Sequence, residues 1–127
     1  MKDIEYNEKR VFKKKLDMTK VKNVKGKFKT PLGYESWINY WEKKTGKTAT
    51  ICEKDGCGKT NDIVGGHVYK EDDNENIYLV PICHVHNSDD YDNYYNVPSD
   101  KLLFVPPKDL VRDILSEWVD EITKPQK

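Results

Sequence analysis

Two stretches, Cys52-Glu53-Lys54-Asp55-Gly56-Cys57 and Asn76-Ile77-Tyr78-Leu79-Val80-Pro81-Ile82-Cys83-His84-Val85-His86-Asn87, decide the reading of this chain. A structural zinc site takes four tetrahedral thiolate or imidazole donors, usually as two close pairs separated by a longer insert. Cys52 and Cys57 make the first pair, with Gly56 and Gly58 relieving the backbone around the turn. Cys83 and His86 make the second, spaced so that the start of a helix can present both to one ion. His84 and His67 compete for the fourth position. His86 is preferred because two intervening residues suit a helical or turn-like pair better than direct adjacency does. One Zn2+ held by Cys52, Cys57, Cys83 and His86 is therefore expected to organise the centre of the chain.

Composition supports a metal staple. The chain has 127 residues, 36% hydrophobic and 35% charged, which suits one domain that buries too little apolar surface for a secure core of its own. Its three cysteines cannot all pair, and no apolar run near the N-terminus is long enough for a signal peptide or a membrane span. A reduced, cytoplasmic setting is expected, where close cysteines more often hold a metal than a disulfide.

The net charge of zero conceals a division. Residues 1–30 carry eleven lysines and arginines against Asp3, Glu5, Glu8 and Asp17, whereas residues 71–100 carry eight acids and no lysine or arginine. The two regions are either solvated surface attracting one another or separate partner-binding faces. Residues 1–30 are expected to form a basic arm, and residues 31–127 a single domain.

Local patterns fill in the elements. Tyr34, Trp37, Ile38 and Trp41 recur at helical spacing between the turn Pro31-Leu32-Gly33 and Gly46, predicting a helix whose tryptophans pack into the core. Residues 48–52 have β-branched character, residues 62–69 suggest a strand broken at Gly65-Gly66, residues 77–80 form a clear strand and residues 102–105 a short one. A polar acidic loop is expected before Ile77 and a short helix after Cys83. Beyond Pro106-Pro107, Leu110, Val111, Ile114, Leu115, Trp118, Val119 and Ile122 mark an amphipathic C-terminal helix.

The order Cys52-x4-Cys57, Val64-Gly65-Gly66-His67-Val68, then Asn76 through Asn87 resembles the zinc-containing branch of the HNH nuclease family, over roughly residues 52–92. The resemblance implies an α+β fold in which a zinc-braced treble clef, a β-hairpin plus a helix, packs between the aromatic helix and the C-terminal one. It also implies roles: His67 as the general base, Asn76 as its orienter, and Asn87 as a ligand to a catalytic Mg2+ or another divalent ion. The family's further metal ligand immediately before the base is replaced by Gly66, which offers no donor, and the surrounding acids repel phosphate. The favoured expectation is a degenerate, non-catalytic module that binds a macromolecule, either a basic protein or nucleic acid, away from membranes. The alternatives are a divalent-metal endonuclease with His67 as base, and a small acidic decoy that inhibits a nucleic-acid enzyme from a mobile element.

Overall fold

A computed structural model describes residues 17–113 of the chain. It is an α+β structure with a five-stranded antiparallel sheet in the order β4-β1-β2-β3-β5. The strands are β1 (Met18–Asn23), β2 (Ile63–Lys70), β3 (Asp73–Cys83), β4 (Tyr95–Pro98) and β5 (Leu103–Phe104). The helix α1 (Trp37–Thr45) lies on one face of the sheet.

The expected helix forms for the expected reasons. The Ser36 hydroxyl accepts the Asn39 N–H at 3.1 Å, and Lys43 and Lys44 sit in the last turn, where the helix dipole favours cations. Its aromatic face is core. Trp37, Tyr40 and Trp41 are buried with Leu79 and Val105, and each polar tip is satisfied. The Trp37 and Trp41 indoles donate to the Phe28 and Lys101 carbonyls, and the Tyr40 hydroxyl donates to Asp109.

A second core lies on the opposite face, where Val21, Val68, Val80, Ile82, Tyr95 and Val97 pack with Cys52 and Cys83. The sheet is thus a middle layer, with the aromatic helix on one side and the cysteine turn on the other.

Several expectations are corrected. Met18–Asn23, assigned to the basic arm, is an interior strand paired on both sides. Its lysines conceal a period of two: Val21 and Asn23 are buried while Lys20 is exposed. Residues 1–16 of the arm lie outside the described residues. Residues 48–52 form no strand. The Cys52 N–H instead donates to the Lys59 carbonyl and the Ala49 N–H to the Glu42 carboxylate. The glycine pair does not break β2, since Gly65 and Gly66 pair with Pro81 and Val80. Gly65 is required by the helix, because a Cβ there would lie 2.9 Å from the Trp37 carbonyl carbon and 3.0 Å from the Ile38 nitrogen.

The acidic loop before Ile77 is largely strand, with β3 beginning at Asp73. After Cys83 there is a single 3-10 turn, Val85–Asn87, in place of a helix. The start of the expected C-terminal helix is not helical either. Arg112 bridges Phe28, the Lys29 N–H donates to the Val111 carbonyl at 2.7 Å, and the Asp113 N–H donates to the Lys27 carbonyl at 3.0 Å. Those backbone bonds hold residues 111–113 extended, and the rest of that stripe lies outside the described residues.

Candidate metal centre

Between β1 and β2 the chain makes a tight knuckle, where Gly56 and Gly58 adopt φ of 85° and 72°, a left-handed conformation that a side chain would oppose. The knuckle is fastened to the sheet by two backbone bonds, Glu53 N–H to Pro81 and Asp55 N–H to Asn96. It thereby carries Cys52 and Cys57 to the end of β3, where Cys83 closes the strand and the 3-10 turn brings His86 back.

The donor atoms of Cys52, Cys57, Cys83 and His86 all lie within 4.8 Å of one another, close enough to hold a metal ion. Bond lengths of about 2.3 Å for Zn–S and about 2.0 Å for Zn–N imply tetrahedral edges of roughly 3.8 Å between sulfurs and roughly 3.5 Å from sulfur to nitrogen. Cys57 Sγ lies 3.9 Å from Cys83 Sγ, and His86 Nδ1 lies 3.9 Å from Cys52 Sγ and 3.1 Å from Cys83 Sγ. These separations bracket the tetrahedral values, so the donor set is compatible with zinc. Among the described residues no second group of three such side chains converges.

The electrostatics point the same way. Burial pushes the Cys52 thiol up to about 11, so a thiolate at that depth calls for a neighbouring cation. The Lys59 backbone amide draws the more exposed Cys57 down. Burial, followed by the Lys54 and Lys59 charges, lowers His86 and favours the neutral imidazole that a metal needs.

Sequence reasoning missed the residue that braces this turn. Asn23 is a buried polar side chain, 7% exposed. Its amide donates to the His86 carbonyl at 2.6 Å and its carbonyl accepts the Tyr95 hydroxyl. The only signal was its place two residues after Val21 on an alternating strand.

The residues given catalytic roles are brought together only in part. His67 and Asn87 line one cavity of about 410 Å3, together with His84, Ser88, Asp89 and Lys27. Asn76 is not among the lining residues. Its amide donates to Asp73 at 3.0 Å, so that side chain fastens the β2–β3 hairpin, and no hydrogen bond joins it to His67. His67 stands against Trp37 at 4.4 Å and Phe28 at 4.8 Å between ring centroids, and its buried Nε2 has no hydrogen-bond partner among the described residues. Burial lowers it from 6.5 to about 4, leaving a neutral imidazole at pH 7.

Gly66 faces the opposite way, into the second core. A Cβ there would lie 2.3 Å from Ile82 Cδ1 and 3.1 Å from Asn87 Oδ1. The position before His67 therefore has no ligand atom, and Ile82 occupies its space.

The two charged regions meet. Lys20 lies 3.7 Å from Glu71, and Lys22 and Lys25 approach Asp92 at 3.3 and 3.9 Å. No described helix is long and apolar enough to cross a membrane. Comparison with protein-family models, with curated proteins and with solved structures gives no match.

Proposed function

We propose that this chain is a zinc-braced module of HNH type that binds a macromolecule and does not cut phosphodiester bonds. The observation that carries the reading is the convergence of three thiols and one imidazole on a single point. Four protein donors leave no open coordination position, as a structural rather than a catalytic zinc requires. In this reading the knuckle, the β2–β3 hairpin and the turn at Val85–Asn87 correspond to a shortened treble clef. Catalysis is disfavoured because Gly66 supplies no ligand and because no carboxylate among the described residues hydrogen-bonds to His67 Nε2 to orient it as a base.

The test has two arms. Native mass spectrometry and elemental analysis are expected to find one zinc per chain. Cleavage assays on plasmid DNA and on RNA, with magnesium or manganese, are expected to show no activity that differs between wild type and His67→Ala. A folded, metal-free protein would overturn the zinc assignment.

A second reading, a divalent-metal endonuclease, is favoured by one observation: His84, Asn87 and Asp89 line the cavity that His67 also lines. Cleavage by wild type that disappears in both His67→Ala and Asp89→Asn would establish that reading in place of the first.

A further inference from the structure

The helix α1 packs over β2, β3 and β5. On the same face of the sheet, β1 and β4 remain open among the described residues, with Lys20, Tyr94 and Asn96 exposed. Strand register arranges this open area in rows. Lys22 is opposite Tyr69 of β2 on one side. On the other side Tyr94 stands one step beyond the Val21–Tyr95 pair. The Lys22 ammonium lies 5.3 Å from the centroid of the Tyr94 ring, and the Tyr69 and Tyr94 side chains interact. The next row holds Lys20 opposite Asn96, with Glu71 beside it. Tyr94 is 45% exposed, a large aromatic face presented to solvent.

Lys22 and Lys25 converge on the same oxygen of Asp92, Oδ1, at 3.3 and 3.9 Å. Two ammonium groups around one anionic oxygen form a phosphate-sized site in which the chain's own carboxylate stands. Lys20 and Lys22 are two residues apart on a strand, or roughly 6.7 Å, close to the separation of successive phosphates in an extended single strand. A sequence-tolerant single-strand site combines lysines that follow the backbone with an aromatic ring on which a base stacks. A duplex keeps its base faces covered, and a basic protein would meet three lysines.

We infer that the open face of β1 and β4 binds single-stranded nucleic acid, with Lys20, Lys22 and Lys25 on phosphates, Tyr94 stacking a base, and Asp92 displaced from the lysines by the ligand. This rests on the macromolecule-binding reading above and assigns that function a surface and a ligand class.

The test is fluorescence anisotropy of the full zinc-loaded chain with a labelled oligodeoxythymidine across a salt series, each variant being checked for an unchanged thermal transition. Tyr94→Ala is expected to weaken binding about tenfold while Tyr94→Phe retains it. Lys22→Gln is expected to lower the slope of log affinity against log salt by about 0.7. Asp92→Asn is expected to tighten binding about threefold or more by freeing the lysines. Wild-type binding that is unaffected by Tyr94→Ala and Lys22→Gln would overturn the inference, as would a lack of binding or equal affinity for the duplex. Asp92→Asn without tightening would overturn the displacement step. Zinc content and cleavage are measured separately. A chain that carries zinc, does not cut, and ignores these substitutions therefore loses this surface and keeps the broader reading.

Discussion

Replacing His67 with phenylalanine should make the protein resistant to mild acid. The imidazole packs against Phe28 and Trp37, its Nε2 has no partner among the described residues, and burial pushes its pKa down from 6.5 to about 4. Below pH 6.5 the unfolded chain protonates this histidine and the folded chain does not, so stability falls as pH drops toward 4 and the loss then levels off. Linkage puts the contribution at about 1.4 kcal/mol by pH 5.5 and about 2.5 kcal/mol by pH 4.5, relative to pH 7.5. Phenylalanine has a similar shape and no titration, so the variant lacks this term. Urea unfolding of wild type and His67→Phe at those three pH values, at constant zinc, gives the difference between the two proteins. Acid protonation of the metal ligands affects both proteins and cancels in that difference. Parallel stability curves would show that His67 is not buried as described.

Three further outcomes follow from the geometry. Cys83→Ser should carry no zinc by elemental analysis and lose its cooperative thermal transition, as should wild type treated with a strong chelator, because the binding energy of a structural zinc is folding energy. Gly65→Ala should cost about 1–3 kcal/mol, seen as a melting temperature several degrees lower, since the new Cβ meets helix backbone that cannot rotate away. Asn23→Ala should cost about 1–3 kcal/mol by leaving the Tyr95 hydroxyl and the His86 carbonyl unpaired. It should also speed zinc transfer to a chromogenic chelator, whereas Lys20→Ala, on the same strand but facing solvent, should do neither.

What could be read in the sequence was local and chemically distinctive. The two cysteine-containing pairs needed only spacing and ligand chemistry. The helix announced itself through Trp37, Trp41 and the closing Gly46. What stayed hidden depended on partners far away in the chain. Lys20 and Lys22 made β1 resemble a charged arm, although the alternating Val21 and Asn23 are buried and the strands that flank them come much later. The strand β4 lay inside a tyrosine- and asparagine-rich segment with no apolar run, and its pairing with β1 and its core contacts depend on residues far away in the chain. At residues 110–113 a helical stripe was outweighed by main-chain bonds to residues 27–29. Asn76 shows the limit of reasoning from motif: an asparagine at the expected place in the order is occupied by a hairpin carboxylate, Asp73, three residues away.

The sheet order has a consequence for synthesis. The first strand is inserted between β2 and β4, so it leaves the ribosome long before its second neighbour exists. Asn23 and Tyr95, which bond across that junction, are separated by 72 positions. At about 5–20 residues per second this is an interval of roughly 4–14 s. His86 is made nine positions before Tyr95, about 0.5–2 s earlier at that rate, so the candidate metal ligands between residues 52 and 86 can be complete while the strand that braces the His86 turn is still paired on one side only. On the proposed zinc reading, the ion can be captured by a nascent chain before the sheet closes, and the last strands then lock it in place.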